Sequence, residues 1–199
     1  MLPPYLRAYQ RSFEHVSQNA QGLLLGLSDE QFNWNLMPST WSIAQCFAHL
    51  MQASEALLPN VEKALRHGKT YGPFGSGPFS YGPLNRVFIW SVKPSSPPLP
   101  APGSYRPSDE PRSRDTILRG FLQQQERWQQ AVEASEGLDL RKIKVASSAA
   151  PLARLSLGAW FEATPLHQLR HLEQVQRVML RAGFLTPAHQ SSKVNVSSS

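Results

Sequence analysis

The sequence has a single cysteine, Cys46, so no internal disulfide can form and packing must hold the fold. A lone thiol suits a reducing compartment, and a cytoplasmic location is expected. No stretch of 18 or more apolar residues occurs, so no membrane-spanning helix is expected. The opening Met1-Leu2-Pro3-Pro4-Tyr5 has neither a basic n-region nor a long apolar h-region, and no signal peptide is expected. There is also no run of five Lys or Arg. The 20 basic and 14 acidic residues leave +6 with neutral histidines, spread along the chain. That spread reads as a solvated positive surface, not a nucleic-acid footprint, and the short Arg141-Lys142-Ile143-Lys144 does not change it. No G-x-x-x-x-G-K loop and no G-x-S-x-G elbow appears, so nucleotide hydrolysis and serine-hydrolase chemistry have no support.

What is present is a helical pattern. Hydrophobic residues make up 41% of the 199, enough for the core of one domain. Four segments carry helical periodicity. In the first, from about residue 5 to 27, Leu6, Tyr9, Phe13, Val16, Ala20, Leu23 and Leu27 recur at steps of three and four. Residues 28 to 38 read as a connection, with Ser39 or Thr40 as the cap of a second helix from about 41 to 66. Its apolar face holds Ile43, Cys46, Phe47, Leu50, Ala53, Leu57, Val61 and Leu65, and Pro59 predicts a kink. Residues 114 to 135 form a third helix, with Leu118, Phe121, Leu122, Trp128 and Val132 inward, Ser113 or Asp115 at the cap and Gly137 just past the end. Residues 138 to 156 read as a connection too short in its alternation for a strand. The fourth helix starts at the cap Thr164 with Pro165 first in the helix, and ends at Gly183; a separate helical stretch, 157 to 163, docks onto it.

Between the second and third helices, residues 68 to 112 are dominated by Pro and Gly. This reads as a proline-stiffened crossover with a short helix over 84 to 92, a lid or wrap over one bundle end. The expected architecture is all-α: a four-helix bundle over residues 1–186 and a disordered Ser-rich tail over 187–199.

His167 and His171 lie four apart on the fourth helix, ~40° apart in azimuth and ~6 Å along the axis, so both imidazoles can reach one metal ion. On a helical wheel Arg170, Glu173, Arg177 and Arg181 form the polar side, and the histidine pair turns inward beside Val175. His49 sits on the second helix beside its apolar face, with Cys46 and Ala53 as small neighbours. Three imidazoles would leave an open coordination position, as catalytic sites do. The bland alternative is polar residues at the core edge, satisfied by water or carbonyls.

Trp41-Ser42-Ile43-Ala44-Gln45-Cys46-Phe47-Ala48-His49-Leu50 resembles the W-S-I-x-x-x-x-x-H-L signature of the DinB-like superfamily. His167-Gln168-Leu169-Arg170-His171-Leu172-Glu173-Gln174 resembles its H-x-x-R-H-x-x-Q signature, and residues 27–34 and 155–160 are similar to the turns that precede these helices. The resemblance implies a triad of His49, His167 and His171 on a divalent ion, with Zn or Ni the best suited to imidazole. It also implies a metal-dependent transferase, with a low-molecular-weight thiol as co-substrate, or a hydrolase acting on small molecules in detoxification. The ion would act as a Lewis acid that generates a nucleophile. One departure stands out: many relatives carry Glu where this chain has Gln45, which cannot ionise and so cannot be a base.

Around the triad, Cys46 reads either as a soft ligand or as a small buried hydrophobe. Gln174 either orients an imidazole or simply hydrogen-bonds at the core edge. Trp41 plugs the start of its helix or forms a substrate platform. Arg170 faces away as a surface ion-pair former or anchors an anion. His15, His67 and His189 are expected in solvent. The alternative to an enzyme is a non-catalytic metal-stabilised bundle acting in homodimer formation or stress-related partner binding.

Overall fold

The computed structural model describes residues 1–35, 37, 40–97, 103–150, 152–181 and 184. Ser39, Gly183, His189 and the tail 187–199 lie outside them. Six α-helices and one hairpin follow in order: α1 Pro4–Leu24, α2 Asp29–Asn33, α3 Ile43–Tyr71, α4 Pro83–Ser91, α5 Arg114–Ala134, β1 Lys144–Ala146, β2 Arg154–Ser156 and α6 Leu157–Met179. The long helices α1, α3, α5 and α6 form the four-helix bundle. α1 packs on α5 and α6, α3 packs on the same two, and α1 and α3 face each other diagonally.

The stripe read on α1 is the buried one: Leu6, Phe13, Val16 and Ala20 are fully enclosed, and Leu24 takes the deep position expected of Leu23. Phe13 stacks flat on Trp128 of α5, with ring centroids 5.5 Å apart. Each such fully buried side chain stabilises the fold by about 1.5–3 kcal/mol. On α5, Phe121, Trp128 and Val132 are buried as expected, whereas Leu118 and Leu122 are only half-buried and Gln124 and Gln125 take inward places instead.

Two apolar clusters mark the ends of the bundle. One holds Leu6, Phe13, Leu57, Trp128 and Phe161, and the other Val16, Leu24, Ile43, Leu50, Phe121 and Leu172. Following the chain between them gives helix direction. α1 and α6 run from the first to the second, and α3 and α5 both run back. Consecutive long helices α3 and α5 are therefore parallel, so no short loop can join them. The crossover must return the full length of α3, about 43 Å for 29 residues. Its α4 lies close to the helix foreseen at 84–92, and it packs on α6.

Several local expectations are corrected. The connection after α1 is itself a helical turn, α2, because Ser28 and Gln31 form a reciprocal capping box. The same chemistry moves the α3 start. Ser42 is the cap, its hydroxyl accepting from the Gln45 N–H while the Gln45 side chain accepts from the Ser42 N–H; Thr40 instead hydrogen-bonds to Asn35 and Met37. Pro59 lies inside α3 without ending it. Ser113 holds the cap position of α5, but its hydroxyl caps nothing; Asp29 of α2 accepts the Arg114 N–H at 2.7 Å, and Asp115 pairs with the Arg114 guanidinium. Gly137 takes φ +80° just beyond α5, as a helix stop requires.

Residues 144–146 do form a strand. It pairs antiparallel with 154–156, Val145 opposite Leu155, both buried. The fourth helix starts at Leu157, not Thr164, and passes through Pro165 unbroken. Burial of Ala159 and Ala163 against Tyr81 and Ile89 of the crossover, and of Phe161 in the bundle core on the other side, outweighs the hydrogen bond that Pro165 forfeits. At its start Gly158 touches the Tyr81 hydroxyl so closely that a Cβ there would collide with it.

Candidate metal centre

α3 carries His49 and α6 carries His167 and His171 to one point. The His167 Nε2 lies 3.4 Å from the His49 Nε2 and 3.2 Å from the His171 Nε2. His49 is buried, and the other two are half-buried. The three imidazoles are the group among the described residues able to hold a metal ion, with ligand atoms all within 4.8 Å of one another. A Zn–N bond is about 2.0–2.1 Å, so nitrogens round one ion sit at about this spacing.

The outer faces of two rings fix their chemistry. The His49 Nδ1–H donates to the Tyr105 carbonyl at 2.8 Å, and the His171 Nδ1–H donates to the Gln174 Oε1 at 3.1 Å. A neutral imidazole has one donor and one acceptor nitrogen. Both Nε2 atoms are thereby left as lone pairs, aimed at the Nε2 of His167. One proton on His167 can satisfy one of them only, whereas a cation between the three satisfies all. The donor set fits an imidazole-preferring divalent ion.

Electrostatics agree. Burial lowers the His49 pKa. Burial first, then the neighbouring His171 and His49, lowers that of His167 well below its ordinary value. His171 is lowered to about 3, mainly by burial. All three rings are neutral near pH 7, the state that ligates.

A cavity of about 650 Å³ adjoins the triad. It follows one face of α6 from Trp160 through His167, His171 and Gln174 to Val178 and reaches Arg181 just past the helix end, and Phe88, Val92 and Tyr105 of the crossover help to close it. The wrap therefore lies along α6, not over one end. Trp41 lines the cavity and also lies against the rings, nearly parallel to His171 at 6.0 Å. It joins the core and faces the site at once.

Arg170 is no surface ion-pair former. Its guanidinium donates to the carbonyls of Ser91, Lys93 and Pro97, tying the crossover down between the two histidines of α6. The Lys93 carbonyl also accepts from the Ser96 N–H, and a planar five-donor fork suits such a cluster of acceptors. Gln45 is taken up by its cap and by a 2.8 Å bond to Asp109. Cys46 is fully buried in the core, its thiol pushed up to about 12 by loss of solvent. Neither lines the cavity. His15 and His67 are exposed as expected.

Tyr105, Trp34, Arg177 and Arg181 join the site without having been singled out for it. Arg181 continues the spacing His167, His171, Gln174, Val178, a signal present in the sequence, whereas Arg177 belongs to the polar side of the wheel. Tyr105 acts through its main chain, which no residue type announces.

No curated protein and no solved structure matches the chain. The family model of the DinB superfamily matches residues 12–175, which takes in all three histidines and the crossover. Bundle, histidine cluster and family model coincide: the chain belongs to the DinB superfamily.

Proposed function

We propose that the protein is a divalent-metal-dependent enzyme that acts on small molecules, with His49, His167 and His171 as ligands to Zn or Ni. The supporting observation is the pair of inward lone pairs on His49 and His171, held by Tyr105 and Gln174 and facing His167. A divalent ion held there supplies Lewis acidity, which turns water or a low-molecular-weight thiol into a nucleophile near neutral pH. The chain's own residues do the rest. Tyr105 and Gln174 orient rings, Trp41 shields one side of the triad from water, and Arg170 keeps the crossover over the cavity.

Thiol transfer stands ahead of hydrolysis in this proposal on family resemblance, with a detoxification role and a cytoplasmic setting. No helix among the described residues is long and apolar enough to cross a membrane. The test is elemental analysis of protein prepared without an affinity tag, followed by thiol-conjugation and ester-hydrolysis assays. Stoichiometric metal with turnover supports the proposal; metal-free protein that takes up neither Zn nor Ni overturns it.

A second reading, a non-catalytic metal-stabilised bundle that dimerises, is favoured by one feature. Leu84, Val87 and Trp90 recur at three-residue steps on α4 and are 67%, 62% and 56% exposed. A metal-loaded protein inert in every assay and dimeric by analytical ultracentrifugation selects it.

A further inference from the structure

The two ends of the α6 cavity differ in kind. Toward the start of α6 the wall is apolar, with Phe88 against Trp160 at 4.8 Å between ring centroids. Toward its end lie Arg177 and Arg181, and the indoles of Trp34 and Trp41 line the same cavity and pack on the apolar cluster at this end of the bundle. Arg177 stands about 9 Å along the axis beyond His171, and Arg181 lies just past the end of the helix. Helix side chains lean toward the N-terminus, which turns the Arg177 guanidinium back toward the triad.

Their charges are available. Arg181 makes no side-chain hydrogen bond or ion pair among the described residues, and Arg177 has only a loose 3.7 Å contact with the exposed Glu173. Such an exposed pair contributes little and yields easily. No Asp or Glu lines the cavity among the described residues. A cationic end with no counter-charge, walled by low-dielectric indoles, focuses field on whatever enters.

We propose that the cavity takes a small molecule with an anionic group, seated at Arg177 and Arg181 between Trp34 and Trp41, and an apolar body lying along α6 past the triad. Planar guanidinium groups match a carboxylate in a bidentate manner, and the indoles cover its flanks. This rests on the reading of the cavity as the substrate site of the triad, and names the class of substrate that site accepts.

The test uses the full chain freed of metal, so that no ion contributes, and a matched pair of probes: 3-phenylpropionate and its neutral amide. Binding is followed at low ionic strength by quenching of tryptophan fluorescence and by calorimetry. The acid should bind roughly tenfold tighter than the amide, and 0.5 M salt should reduce that preference, since screening acts on exposed charges. In Arg177→Gln/Arg181→Gln the preference should fall to near unity. Both positions are exposed, and an unchanged melting temperature confirms the fold. Absence of binding by the acid, or a preference that the double variant keeps, overturns the proposal. Metal uptake by the unmodified protein is read separately, so loss of the metal assignment and loss of the anion site give different results.

Discussion

The Nδ1 of His49 lies 2.8 Å from the carbonyl oxygen of Tyr105, 56 residues further along the chain. A ring on α3 is thus aimed by the main chain of the crossover, the segment whose composition looks least committed to structure. The same segment is clasped by Arg170, between the two histidines of α6. Site and crossover form one device.

His171→Ala should abolish metal-dependent stabilisation. An ion that binds only the folded state adds about 2.7 kcal/mol at a hundredfold excess over its dissociation constant. The parent protein should melt higher with added Zn, and the variant should not. Elemental analysis alongside melting curves checks this; full metal content in the variant would refute the ligand assignment.

Acid should destabilise the metal-free protein through the triad. Burial holds the folded-state pKa of His171 at about 3, below the ordinary 6.5, and lowers His49 and His167 as well. Between those values the unfolded chain binds more protons, so stability is complete above about pH 6.5 and declines as pH falls from there toward 3. Urea titrations at several pH values measure the slope. His171→Gln should make it shallower.

Gln45→Glu should destabilise this chain. A Glu still accepts from the Ser42 N–H but cannot donate to Asp109, which Gln45 reaches at 2.8 Å. Two carboxylates would then face each other, at a cost of about 1 kcal/mol near pH 7. Asp109→Asn should relieve it. Chemical denaturation of the parent, of Gln45→Glu and of Gln45→Glu/Asp109→Asn gives the comparison.

Arg170→Ala should loosen the crossover while sparing the bundle. The Ser91 and Pro97 carbonyls lose the guanidinium donor, and the Lys93 carbonyl keeps only the Ser96 N–H. Amide hydrogen exchange should quicken over residues 91–97 and leave α1 and α5 unaltered, with a loss of about 2 kcal/mol in global stability at most. Arg170→Lys should recover little, since one ammonium cannot span the three acceptors.

Periodicity made the bundle legible. Leu6, Phe13, Val16, Phe121 and Trp128 have no reason to recur as they do except a shared face. The triad was legible for a related reason: His167 and His171 sit one turn apart, and the motif resemblance supplied His49. Errors fell where local rules compete. Pro165 looks like a first helical residue, but the apolar run before it has enough burial to carry the helix through. Arg170 looks solvent-facing on a wheel, because a wheel shows one helix and not the crossover lying against it. Parallel α3 and α5 were hidden for the same reason: helix direction is decided by packing between segments, and the only local trace is a long connection.

His49 and His167 are 118 residues apart. A chain emerging from the ribosome carries α3 into the open long before α6 exists, so a nascent protein has no complete ion site until His171 has been added. Whatever ion it uses must be acquired after α6 has emerged, and a fragment ending before α6 would be useless as a metal trap however well it folded.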